Sequence, residues 1–248
     1  PLQSSIGNIY SETTRFLGMK PLEHEYKVMG LAAYSKYEYA NKLYKNLLEP
    51  VISLCEENNL VFKSEINTFN FYNYLVENAV GERFDNIAGA LQILTEKLVI
   101  KWVNNGLKKT SAKNVFLSGG VFMNVKLNQK IAENNKIEKL FLMPSCGDES
   151  NPIGACYYNS FQKGEKTKPL KNLYLGISYK NNDIHEFLKK SKLESKFVIN
   201  EYKDIERKIA ELLICKEIVA RFCSRGEWGA RSLGNRAILA HPSYMESF

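Results

Sequence analysis

Two short apolar runs, NVFLS at 114–118 and KLFLMP at 139–144, constrain this chain more than any other feature. NVFLS is broken by Gly119-Gly120 and runs on into the helical pattern VKLNQKIAEN. KLFLMP leads through the polar loop SCGDES to a helix from Pro152, a residue suited to a first helical turn. Strands alternating with helices predict parallel pairing and a right-handed crossover. The expected class is therefore α/β.

Upstream, SSIGNIYSETTRFLG predicts a short helix ending at Gly18, and HEYKVMGLAAY a second short segment after Pro21. NKLYKNLLEPVISLC reads as helix, LVFKSEI as strand and NFYNYLVENAV as helix. The clearest helix begins near Asp85, taken as its N-cap. Ile87, Leu91, Leu94 and Leu98 fall on one face, while Ile93 and Ile100 make a second face apolar, so this helix is expected to pack on two sides. QKGEKTKPLK has no periodicity and is read as a boundary, giving domains 1–165 and 166–248. A second α/β module then runs through NLYLGISY, the helix NDIHEFLKKSKL, the strand KFVINEY, the helix DIERKIAELLIC and the apolar run EIVARFC.

Bulk properties narrow the function classes. Apolar content of 44% with 25% charged residues describes a globular chain. The formal charge of +7 comes from 34 basic and 27 acidic residues, spread mostly as Lys without a dense block. A solvated lysine-rich surface accounts for it; next comes an anionic ligand such as a nucleotide, and no basic-aromatic stripe favours nucleic acid. Five cysteines without a CxxC pair read as reduced thiols and predict a cytoplasmic protein. No apolar run approaches a membrane span and no signal peptide opens the chain.

Three stretches carry candidate chemistry. In SGGVFMN, Gly119 and Gly120 let the backbone approach a ligand, a following helix N-terminus suits phosphate, and Asn124 offers an amide. A tight packed turn explains the same glycines. SCGDES sits beyond the carboxyl end of the neighbouring strand, where ligands of open α/β sheets bind, and holds Asp148 as either a helix-dipole carboxylate or a metal ligand. HEYKVMGLAAY contributes Lys27. The third stretch, SRGEWGARSLGNR, interleaves Arg225, Arg231 and Arg236 with three glycines at spacings of six and five, so no regular helix aligns them. A folded loop from which guanidinium forks converge on a phosphate fits better, with Glu227 orienting an arginine by a salt bridge. An exposed basic turn is the plainer alternative.

Together EYKVMGLAAY, FLSGGVFMNVKLN with CGDESNPIGA, and SRGEWGARSLGNRAILAHP resemble, in that order, blocks of the O-carbamoyltransferases of the nodulation-factor, cephamycin and tobramycin type. The resemblance implies the second half of an actin/sugar-kinase/Hsp70-like domain followed by the start of a YrdC-like domain. It implies that carbamoyl phosphate and ATP give carbamoyl-adenylate and pyrophosphate. The carbamoyl group then passes to a hydroxyl of a small-molecule or glycan acceptor with help from a divalent metal, Fe(II) in type. On this resemblance Gly119, Gly120 and Asn124 belong to the nucleotide block and Lys27 lies near it. Asp148 matches a metal ligand, and Arg225, Arg231, Asn235 and Arg236 hold carbamoyl phosphate or the adenylate phosphate. Neither nucleic acid nor membrane is an expected partner, and a homo-oligomer is compatible. Two departures stand out: the family's HxxxH metal segment does not occur here, and Trp228 and Ala230 replace the usual Phe and Pro. A first residue of Pro and a stop soon after the arginine block give the expectation of an internal segment of a longer enzyme. A superfamily sugar kinase and a nucleotide- or RNA-binding module are the rival readings.

Overall fold

Ser5 enters the first helix, α1 (Ile6–Phe16), with extended backbone and a side-chain oxygen that accepts the Asn8 N–H at 3.3 Å. A computed structural model describes residues 3–244. After Gly18, at φ +75°, come α2 (Glu25–Leu31) and α3 (Tyr37–Leu43), the latter widening into a π-turn across Tyr44–Leu48. The helix expected to reach residue 55 stops there. Ile52–Leu54 instead forms β1, antiparallel to β2 (Phe62–Ser64), with Ile52 and Leu54 buried and Ser53 outward. The two-residue period of Ile-Ser-Leu, placed after Pro50, overrides the helical pattern.

Past α4 (Phe71–Asn78), the central helix α5 (Phe84–Thr110) carries the core. It buries Ile87, Leu91, Leu94 and Leu98, and also Ala88, Ala90, Val99 and Val103; Ile93 and Ile100 pack partly buried against the same core. Asp85 is not its N-cap, as the sequence suggested. Arg83 holds that position, and Asp85 lies inside the first turn, where its carboxylate accepts Arg83 Nε and Nη2 at 3.0 and 2.9 Å. A carboxylate in a first turn suits the helix dipole as well as a cap would.

β3 (Asn114–Leu117), α6 (Val125–Ala132) and β4 (Lys139–Leu142) then form the expected strand–helix–strand unit. The strands pair in parallel, from Asn114 opposite Lys139 to Leu117 opposite Leu142. Val115, Leu117, Leu140 and Leu142 face the core, leaving Phe116 and Phe141 exposed with ring centroids 5.4 Å apart.

The chain divides into two compact units at Asp148–Glu149, ahead of the charged stretch 162–171. The second contains α7 (Asn151–Gln162), α8 (Asn181–Ser191), α9 (Ile205–Ile214) and the antiparallel pair β5 (Val219–Phe222) and β6 (Arg236–Leu239). Pro152 stands in the first turn of α7, as expected. KFVINEY forms no strand; Phe197 and Val198 are exposed, since apolar β-formers need a neighbouring strand to pair with. NLYLGISY is likewise irregular, yet it lies against the arginine stretch through Gly176 N–H to Gly226 O at 2.9 Å and Gly226 N–H to Ile177 O at 3.2 Å. Within this unit Leu173 is the buried apolar residue among the described residues.

Candidate functional site

In the first unit, the two loops beyond the carboxyl ends of β3 and β4 meet. Gly119 N–H donates to Cys146 O at 3.0 Å, and Cys146 N–H reaches Met123 Sδ at 3.3 Å. Gly119 adopts φ +104°, ψ 151°, a region open in practice to glycine, and no atom lies within 4 Å of where a Cβ would point. Gly120 is similarly open. The sequence thus brings the Gly-Gly loop and SCGDES side by side, with exposed backbone at Gly119-Gly120.

Asn124 is differently placed from a side chain aimed at solvent. It is buried as the N-cap of α6, with Oδ1 accepting Leu127 N–H at 3.0 Å. Its amide pairs reciprocally with Gln92 of α5, Nδ2 to Oε1 at 2.8 Å and Gln92 Nε2 to Oδ1 at 3.2 Å. Gln92 also donates to Glu96, which pairs with Lys130 Nζ at 2.6 Å. This network ties α6 to α5. The sequence signal was present: an Asn three residues before Leu127 at a helix start is a preferred cap. Nearby, burial first, and then the carboxylates of Glu25 and Glu96, push the Tyr10 phenol upward, and its hydroxyl lacks a hydrogen-bond partner. Lys27 is exposed on α2, its ammonium 5.9 Å from the Tyr26 ring centroid. Asp148 is exposed at the start of a single 3-10 turn. Among the described residues no three His, Cys, Asp or Glu side chains gather as a metal site, so the residues present do not by themselves fit a metal.

The second unit holds the arginine loop between β5 and β6. Phe222 stands opposite Arg236 in the strand register, and the Arg236 guanidinium lies over its ring, 3.5 Å from the centroid. Arg236 also donates to the carbonyls of Cys223, Asn235 and Ser224 at 2.5, 3.0 and 3.3 Å. Arg225 donates Nε to Gly176 O at 3.0 Å and Nη2 to Leu175 O at 3.2 Å. Asn235 spans the loop, Nδ2 to Arg225 O at 2.9 Å. Arg231, half-buried, lies in the turn that separates these two arginines. The structure brings Arg225, Asn235 and Arg236 together by way of main-chain carbonyls.

Glu227 corrects the sequence expectation. Its carboxylate bonds to backbone rather than to an arginine side chain: Oε2 accepts Leu233 N–H at 2.5 Å, while Oε1 accepts Arg236 N–H at 2.8 Å and also Asn235 N–H. Desolvation alone would raise this carboxyl, but the N–H groups of Leu233, Arg236 and Asn235, with the Arg236 charge, hold it below the ordinary glutamate range. A shallow concavity of about 360 Å³ is walled by Glu149 and by the loop residues Glu227, Trp228, Gly229 and Ala230. Outside the loop, Arg221 forms a bidentate pair with Glu206 at 2.5 and 2.6 Å, a contact that sequence reading missed for want of any local spacing signal.

Comparison with known proteins decides the family. The carbamoyltransferase N-terminus model matches residues 1–157, and the carbamoyltransferase C-terminus model matches 210–247. The chain belongs to the carbamoyltransferase family. An uncharacterized protein of Methanocaldococcus jannaschii is 34% identical over 248 residues, 96% of this chain and 40% of the relative. The nodulation protein NolO of Bradyrhizobium diazoefficiens is 27% identical over 252 residues, 100% of this chain and 45% of the relative. A tRNA N6-adenosine threonylcarbamoyltransferase of Lactococcus lactis is 25% identical over 114 residues, 45% of this chain and 32% of its own length. The chain spans 40–47% of the length of the first three curated relatives it matches. Within this carbamoyltransferase chain, no helix among the described residues is long and apolar enough to cross a membrane.

Proposed function

We infer that this chain serves an O-carbamoyltransferase that uses carbamoyl phosphate and ATP to modify a hydroxyl-bearing acceptor. The observation that carries the reading is the ordered match to both family models, the second overlapping the arginine loop. Water cleaves carbamoyl phosphate to carbamate and phosphate, and the carbamate oxygen attacks the α-phosphorus of ATP, giving carbamoyl-adenylate and releasing pyrophosphate. The acceptor hydroxyl then loses its proton as its oxygen takes the carbamoyl carbon, and AMP leaves. Two anionic reactants repel each other, and fixed cations on one loop offset that repulsion. In this reading Arg225, Arg231 and Arg236, with Asn235, hold the phosphate of carbamoyl phosphate or of the adenylate. On the same reading residues 166–248 belong to a YrdC-like domain and residues 1–165 to an actin/sugar-kinase/Hsp70-like domain, the N-terminus family model covering 1–157. The similarity to a threonylcarbamoyltransferase supports the latter assignment.

Gly119 and Gly120 offer bare backbone to the nucleotide, and Lys27 contributes charge near it. Asn124, its carboxamide engaged by Leu127 and Gln92, contributes by fixing the first turn of α6.

The test uses a polypeptide of the relatives' full length that carries this sequence. Pyrophosphate release dependent on carbamoyl phosphate and ATP, with a carbamoyl mass increment on an added acceptor, is the expected result. A phosphorylated acceptor, or no pyrophosphate, overturns the reading.

A further inference from the structure

We propose that Glu227 is the positioning residue of the arginine loop, fixing the turn that presents Arg231 without itself touching the anion. The inference rests on the carbamoyl phosphate reading for its ligand, but its geometric basis is independent of it. Between the end of β5 at Phe222 and the start of β6 at Arg236 there is no helix or strand to take up backbone donors. One carboxylate does it instead, accepting the N–H groups of Leu233, Asn235 and Arg236 from six, eight and nine residues downstream. The segment 228–232, which contains Arg231, is thereby closed into a ring whose base is the Glu227 side chain. Gly229 at φ +109° and Gly234 at φ +100° supply the two reversals that turn those N–H groups inward.

The same base fixes the other residues proposed to hold the anion. Asn235, anchored through its N–H, sends its amide to Arg225 O, and Arg236, anchored through its own N–H, folds back on Cys223 and Ser224. A glutamine at 227 keeps the size but offers one acceptor oxygen, and its amide hydrogens face backbone N–H groups with which they cannot bond. A simple counter-charge would act in the opposite sense, because removing it would strengthen attraction for an anion.

The experiment compares wild type, Glu227→Gln and Glu227→Asp in the full-length polypeptide, with Glu206→Gln as a control that removes an acid near Arg221. Folding is monitored by circular dichroism. Glu227→Gln is expected to raise KM for carbamoyl phosphate by about tenfold, the worth of a little over one lost hydrogen bond, with KM for ATP unchanged. Glu227→Asp should fall between, and Glu206→Gln should match wild type. An unchanged or lowered KM for carbamoyl phosphate, or an equal rise for ATP, overturns the proposal. If wild type has no carbamoyl phosphate-dependent activity, the functional reading fails while the positioning inference is still tested by limited trypsin digestion. Cleavage after Arg231 should then rise by about fivefold in Glu227→Gln while cleavage after Arg207 is unchanged, and equal cleavage at Arg231 overturns it.

Discussion

Replacing Gly89 by alanine probes how closely α5 approaches its neighbours, and a second glycine in the same helix supplies the control. A Cβ at Gly89 would stand 2.8 Å from Ala40 Cβ, 2.9 Å from Ser35 Cβ and 3.0 Å from Ser35 Oγ. Both neighbouring Cβ atoms are fixed to backbone, so only a shift of the chain relieves the contact. Ser35 Oγ also donates to Asn86 Oδ1 at 2.8 Å, and that bond moves with it. Helix propensity favours alanine by about 1 kcal/mol, whereas overpacking costs about 1–3 kcal/mol and the disturbed hydrogen bond about 1 kcal/mol. Gly89→Ala should therefore be destabilising by about 1–3 kcal/mol. At Gly106 the nearest atom to a new Cβ is Leu60 Cδ2 at 3.9 Å, an ordinary contact. Gly106→Ala should keep the propensity gain of about 1 kcal/mol. Urea and thermal unfolding, followed by far-UV circular dichroism, read the two in parallel. Tm should move in opposite directions, by about 2–4 °C per kcal/mol. If Gly89→Ala stabilises the chain as much as Gly106→Ala does, the close packing of α5 against residues 35 and 40 is refuted.

Asn124→Ala removes the α6 cap and takes from Gln92 Oε1 the Asn124 amide donor, while Gln92 Nε2 keeps Glu96; a loss of about 2–4 kcal/mol in urea unfolding is expected, and a cycle with Gln92→Ala should show strong coupling. The Asp85 carboxyl is held below its usual value of 3.8, first by the Arg83 hydrogen bonds, working against some desolvation. A depressed folded-state pKa contributes stability that is present above the unfolded value and lost as pH falls through the folded one. Wild type should thus lose stability below about pH 4 more steeply than Asp85→Asn; parallel acid-unfolding curves would refute this. Gly176→Ala would place a Cβ 2.8 Å from Gly226 Cα, backbone against backbone, and should speed tryptic cleavage after Arg225.

The strand–helix–strand unit from Asn114 to Leu142 was legible because its signals are local: apolar runs of strand length, punctuating glycines and a helical period between them. The loops at Gly119 and Cys146 followed, since parallel pairing in register brings consecutive strand ends together. KFVINEY failed as a strand for the converse reason. Its β-forming residues state a preference, but among the described residues the strands of the second unit, β5 and β6, pair with each other and not with this segment. The residue type of Asp85 fits a cap, yet the helix starts at Phe84, which places Asp85 in the first turn, where its carboxylate accepts the Arg83 guanidinium. For Glu227 the sequence shows an acid among arginines, and charge pairing is the obvious guess. Which donors reach a carboxylate depends on where the chain reverses, and the backbone N–H groups that occupy it carry no mark in the one-letter code.

Arg225 and Arg236 are held by carbonyl oxygens and an aromatic face. Neutral dipoles restrain a guanidinium without cancelling it, so the stretch from Ser224 to Arg236, with three arginines against one glutamate, retains two net positive charges. An anion bound as proposed would meet Arg225 and Arg236 hydrogen-bonded to carbonyls rather than to an acidic side chain. Added electrolyte would then shield the incoming anion while leaving the scaffold that aims the cations intact, so recognition and architecture answer to different solution conditions.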